Sequence, residues 1–330
     1  MPETIYYDEI KEDTALELNA EKPAAYSVSA FAISQQGGLL PTSALTDPAS
    51  LKFGGSGADG PLTLASGANT IDLGSSTIKI YNYSSVSITG AATLSFTSPA
   101  TAGTIIYWKV SGDVNITSTG SPAIDLRSLG GTNGTGGAIG GTGSGNGGGG
   151  GASAINNGVA GAGTSTTGGT VGTVGTTTRL LNFNSGGGGG ISGAGGTAGV
   201  SAGYNSLAAQ YLRLMVLAGS GGGGGQGGNL SAGGDGGRGA GALLIECAGT
   251  LNINLIVNGV GADGSNVGVG GGEGGGGGGG GGGSFVALYN SLAADTGTYT
   301  MTGGAGGTGA GSGGTGGTGF SAVSKNISFL

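Results

Sequence analysis

The sequence predicts an all-β fold: a stack of short strands from which glycine-rich excursions leave and to which they return. Three observations predict it. Glycine supplies 87 of the 330 residues, far above the ordinary share of about 7%, and it gathers in runs at 147–151, 186–190, 221–225 and 270–283. Between the runs lie short stretches rich in Ile, Val, Thr and Tyr that alternate with period two. A strand-pair pattern also recurs: the stretch opening at Gly103 is echoed from Gly241 and, more loosely, from Gly283.

Residues 1–50 are read as an acidic attachment segment and linker. Over residues 1–21, Glu3, Asp8, Glu9, Glu12, Asp13, Glu17 and Glu21 face Lys11 alone, and Gly37, Gly38, Pro41 and Pro48 mark the linker. Residues 51–129 form a β-strand domain with strands expected at 70–73, 77–81, 85–89, 93–96, 104–110, 113–117 and 123–126. Strands this short suit a sandwich or a solenoid, and the recurrence at Gly103, Gly241 and Gly283 favours the solenoid. Residues 130–330 alternate glycine-rich excursions, at about 130–177, 184–206, 219–241, 261–283 and 302–319, with further β rungs.

The run 270–283 is interrupted by Glu273 alone. Free glycine chain is a flexible coil, but it can also lie in an extended helix of three residues per turn rising about 3.1 Å per residue. That helix has no internal hydrogen bonds, so every amide must pair with a neighbouring thread. The expectation is a polyglycine helix bundle, used as a rigid spacer, with Asn133, Ile139, Asn156, Tyr204, Gln226, Leu230 and Val267 turned outward or placed at turns.

Composition excludes several functions. Charged residues make up 8%, against about 25% ordinarily, and seven prolines are too few for collagen. The net charge is −7 with no basic patch, so nucleic acid is not an expected partner. The first residues have neither a positive leader nor an apolar core, and no run of 18 apolar residues occurs, so neither a secretory signal nor a spanning helix is expected. A chain made in a cytoplasm with the composition of an exposed fibre fits a virus structural protein released by lysis.

No histidine is present and Cys247 is alone, which removes Ser–His and Cys–His pairs, imidazole or thiolate zinc sites and an internal disulfide. Cys247 follows the apolar run 243–245 and is read as a buried, inert thiol. Gly-x-Gly-x-x-Gly recurs by chance in so glycine-rich a chain, and no Gly-Lys-Ser or Gly-Lys-Thr follows a run, so there is no P-loop. Asp59, Asp72, Asp113, Asp125, Asp235, Glu246, Asp263, Glu273 and Asp295 form no local hydrolase pattern. The stretch 263–266 resembles part of a calcium loop without its later Glu, and reads as a solvated turn. No catalysis, cofactor or metal is expected. Tyr81, Tyr83, Tyr107 and Trp108 are assigned to core packing. Tyr204 and Asn205, inside an excursion, are either an exposed contact for a sugar or protein loop or a turn plugging the bundle's end.

The glycine runs joined by short turns resemble the tip adhesins of T-even-like phage long tail fibres, a likeness of composition and layout over about 130–319. Phe53, Gly54, Gly55, Ser56, Gly57, Ala58, Asp59 and Gly60, followed by short strands, resemble the opening of glycine-rich β-solenoid proteins of phage tails and bacterial surfaces. The resemblance implies a virion tail-fibre or tail-tip adhesin displaying receptor-binding loops at excursion turns, with Tyr204, Asn205, Asn156, Asn157, Gln226 and Asn229 as contact residues. Its implied partners are other virion tail proteins through the N-terminal segment, a host-surface glycan or outer-membrane protein, and further copies in a homo-oligomer. The competing readings are a self-assembling filament or virion-decoration subunit and an ice-binding protein. Against the last stands the irregular threonine spacing over 164–178.

Overall fold

The computed structural model describes residues 52–101, 103–133, 216, 218–219, 221–225, 233–267, 275–309 and 311–326. The N-terminal segment 1–50 lies outside these residues. Twelve strands and no helix occur among them: β1 (Gly60–Leu64), β2 (Ala68–Asp72), β3 (Ile78–Ile88), β4 (Thr93–Thr97), β5 (Ile105–Val110), β6 (Val114–Ile116), β7 (Ile124–Asp125), β8 (Ala242–Ile253), β9 (Ile256–Asn258), β10 (Ser284–Asp295), β11 (Thr298–Thr300) and β12 (Phe320–Lys325). The expected all-β class stands.

The strands make two sheets in which every pair is parallel. The larger runs β1-β3-β5-β8-β10-β12, with β6 pairing with both β3 and β8, and the smaller runs β11-β9-β7-β4-β2. Along the chain the strands pass from the larger sheet to the smaller and back. Passages from larger to smaller are short, whereas the last three returns, 126–241, 259–283 and 301–319, carry the glycine-rich excursions. Because β5 and β8 are neighbours, one sheet runs through both sides of residue 130.

Parallel strands are commonly covered on both faces, and β5 shows it: all six of its residues are buried. Its inner face puts Ile106, Trp108 and Val110 into a single core with Leu243, Ile245, Cys247, Phe285 and Ala287 of the same sheet. Leu94, Phe96, Ile124 and Val257 close that core from the smaller sheet. Tyr83 stacks on Tyr81 at 5.4 Å and meets the Trp108 ring edge-on at 6.0 Å. Phe285 stacks on Tyr299 at 4.7 Å. Tyr83 and Trp108 are therefore core residues, as expected. Tyr107 is buried too, but on the opposite face.

Two strand assignments differ from expectation. The stretches 77–81 and 85–89 are one strand, β3: residues 78–83, Asn82 among them, pair with β5, and residues 86–88 pair with β6. β1 was not expected. It contains Pro61, which lacks an amide donor, and it has β3 as its one sheet neighbour among the described residues.

The described parts of the excursions pair thread to thread. The amides of Gly261, Gly264 and Val267 donate to the carbonyls of Thr302, Ala305 and Thr308 at 2.9, 2.9 and 2.8 Å. Those of Gly276, Gly279 and Gly282 donate to Gly311, Gly314 and Gly317, and those of Gly277, Gly280 and Gly283 to Ser265, Ala262 and Gly259. In turn Gly234, Gly237 and Ala240 donate to Gly275, Gly278 and Gly281. Each neighbour is thus met at every third residue, and residues 275–283 are buried throughout. A Cβ on Gly277 would collide with the carbonyl oxygen of Asp235, and one on Gly280 with that of Arg238. Only glycine permits threads this close.

Candidate functional site

Tyr204, Asn205, Asn156, Asn157, Gln226 and Asn229, expected to contact a receptor, all lie outside the described residues. What the described residues show is how an excursion presents its side chains. Over 301–319 burial also recurs at every third residue: Met301, Gly304 and Gly307 are buried, as are Gly311, Gly314 and Gly317. The exposed positions in the same stretch are Thr302, Ala305 and Thr308 on one thread and Ser312, Thr315 and Thr318 on its neighbour. The amides of Gly313 and Gly316 donate to Gly307 and Gly304, so the two threads run antiparallel. A row of short side chains therefore stands outward over a backbone-only interior.

Beside this row, Asp263 and Asn266 have a specific task. The Oδ1 of Asp263 accepts the Ala305 amide at 2.7 Å, and that of Asn266 accepts the Thr308 amide at 2.8 Å. These amides point away from a carbonyl partner, and the three-residue spacing of the two side chains matches the thread they cap. The stretch 263–266 is thus a pair of inter-thread caps rather than a solvated turn. Other carboxylates also serve local backbone or ring contacts. Asp59 accepts the Asn82 amide, Asp113 the Thr250 amide and Asp72 the Gly74 amide, while Asp125 pairs with Arg127 and Asp295 accepts the Tyr299 hydroxyl. Among the described residues no three Asp, Glu, Cys or His side chains are grouped to hold a metal.

The most concentrated polar chemistry is on the outer face of the larger sheet. Register places Asn82 of β3 beside Lys109 of β5, and Lys109 beside Glu246 of β8, so the three share one face on three successive strands. Lys109 is 4% exposed and Glu246 2%. Their Nζ and Oε2 are 3.5 Å apart. The hydroxyl of Tyr107, two residues along β5 on the same face, donates to Glu246 Oε1, and the Gly54 amide donates to Oε2 at 3.1 Å. Lys109 Nζ lies 5.4 Å from the centre of the Tyr107 ring.

The glycine motif noted in the sequence roofs this cluster. Gly54, Gly55 and Gly57 adopt φ of 76°, 67° and 77°, a region unfavourable to side-chain-bearing residues. A Cβ on Gly54 would come within 2.5 Å of the Ala248 Cβ. One on Gly55 would strike Asn82 Oδ1 and lie 2.8 Å from the Lys109 Cβ. The motif's glycines let the backbone lie directly on the polar row.

Sequence reasoning missed this cluster by one residue. Aligning Gly103 with Gly241 puts Lys109 opposite Cys247, whereas the observed register, Ile105 beside Ala242, puts it opposite Glu246. A single-residue slip moves every side chain to the other face. The available signal was a lone Lys and a lone Glu, each set among apolar residues at corresponding places of the same repeat.

Cys247 lies on the inner face, fully buried, with Sγ 3.5 Å from the Gly112 carbonyl oxygen. Burial pushes its thiol up to about 11. Burial also raises Tyr83 and Tyr299, the latter further through its hydrogen bond to Asp295. Comparison of the chain with known protein families, with characterised proteins and with solved structures finds no match.

Proposed function

We propose that this chain is a non-enzymatic tail-fibre or tail-tip protein of a bacteriophage that recognises a receptor on a bacterial surface. In this reading the strands that pass between the two sheets are successive coils of a β-solenoid. The three-residue threads are a polyglycine II bundle standing on one side of it. The acidic segment 1–50 docks on other tail proteins, and excursion turns carrying Tyr204, Asn205, Asn156, Asn157, Gln226 and Asn229 meet a host glycan or outer-membrane protein.

The observation that carries the reading is thread 275–283. It is buried and tied amide to carbonyl to several neighbours. Glycine chain that would otherwise be flexible becomes a stiff support, and loops held by a stiff support lose less entropy on binding. The outward row of short side chains suits a neutral exposed shaft.

The test is retention of the purified, fluorescently labelled chain on a panel of bacterial strains. Binding to a subset, blockage of phage adsorption on that subset, and loss of both on Tyr204→Ala with Asn205→Ala at unchanged circular dichroism is the expected result. A second reading, a filament or decoration subunit, is favoured by β1 and β12, which end the larger sheet with one strand neighbour each among the described residues. Assembly of the purified chain into filaments, with retention on no strain, would select it.

A further inference from the structure

We propose that Lys109 and Asn82 become joined after folding by an amide bond between their side chains, with Glu246 carrying the proton. The inference rests on the polar row alone and is independent of the receptor reading. Asn82, Lys109 and Glu246 sit side by side on β3, β5 and β8, each one strand spacing of about 4.8 Å from the next. Lys109 stands between an amide carbon it can attack and a carboxylate that can take its proton.

The surroundings supply what the reaction needs. An ammonium is not a nucleophile, so the Lys109 proton must leave, and the Glu246 Oε2 at 3.5 Å is placed to receive it. Transfer converts a buried ion pair into a neutral pair, which removes the desolvation cost of two charges. The Tyr107 hydroxyl and the Gly54 amide each engage one oxygen of Glu246 and so position it. Asn82 Oδ1 is buried and has no hydrogen-bond partner among the described residues. Its carbonyl oxygen is thus not committed to another donor as the tetrahedral carbon forms. The roof of Gly54 and Gly55 excludes the water that would compete for the same carbon.

The step balances without any oxidant or co-reactant. The Lys109 nitrogen lone pair forms a C–N bond to Asn82 Cγ, and the bond from Cγ to Nδ2 breaks. Glu246 takes the two protons that the lysine nitrogen sheds, one before and one after the attack, and each goes on to the departing nitrogen, which leaves as ammonium while Glu246 returns to carboxylate. A primary carboxamide and an ammonium become a secondary amide and an ammonium.

The experiment is the intact mass of the denatured full chain, with peptide mapping after digestion. The expected mass is one ammonia below that of the sequence, with a branched peptide joining the β3 and β5 segments. Lys109→Arg and Glu246→Gln are each expected to restore the full mass and abolish the branched peptide. A wild-type chain at full sequence mass overturns the proposal. So does an ammonia deficit that maps to a linear peptide, as a succinimide at Asn133, Asn146, Asn157 or Asn258, each followed by glycine, would give.

Discussion

Cys247, Tyr83 and Tyr299 each carry a proton that the fold holds in place. Burial raises all three above their ordinary values, 9.0 for the thiol and 10.0 for each phenol. A raised value means the folded state favours the neutral form. That stabilisation is complete below the ordinary value and is lost as pH rises through the folded one. For Cys247 the window runs from 9.0 to about 11. The urea midpoint is therefore expected to fall as pH climbs past 9.0, and Cys247→Ala should shrink the fall. A midpoint unchanged across that window would contradict the burial of these groups. At the same scale, Asp263→Ala removes the acceptor for the Ala305 amide. The expected loss is about 1 kcal/mol, with Asp263→Asn close to wild type, measured by urea unfolding. The buried thiol was legible from its apolar neighbours. The cap was not, because its target lies on a thread 42 residues away.

Glycine threads are elements whose sequence conceals their geometry, since a run of identical residues has no phase. The three-residue step is visible only where other residues punctuate it, at Thr302, Ala305 and Thr308 and again at Ser312, Thr315 and Thr318. Those are the exposed positions. Substitution should follow the same phase. Gly280→Ala drives a methyl into the Arg238 carbonyl oxygen, so the backbone of two threads must part. The expected cost is about 1–3 kcal/mol, whereas Thr315→Ala, on the exposed row, should change stability by less than about 0.5 kcal/mol. Equal effects of the two, by chemical denaturation, would refute the phase. Among the strands, propensity located β4, β5 and β10 but divided β3 at Asn82. Its polar residue reads as a turn locally, yet it is accommodated by Lys109 and the glycine roof, partners distant in sequence.

For the whole molecule, one buried cluster joins both sheets: Leu94 and Ile124 from the smaller, Trp108, Leu243 and Phe285 from the larger. Leu94→Ala is expected to cost about 2–5 kcal/mol. Fluorescence of Trp108, the single tryptophan, should report the same unfolding transition as far-ultraviolet circular dichroism. Separate transitions would mean that the sheets melt independently. The recurrence of the strand pair was legible as sequence similarity. The parallel pairing across 126–241 was not, because no local pattern encodes which strand lies beside β5. The threads carry a consequence for how such a protein can grow. A chain that meets each neighbour at every third residue keeps its inward and outward sides only when lengthened by multiples of three residues. In the polyglycine reading proposed above, three inserted residues extend an arm by about 9 Å and leave the packing intact. One or two would rotate a threonine into a gap too narrow for a methyl group. Arms of this design should change length in triplets of codons, a ruler with one permitted graduation.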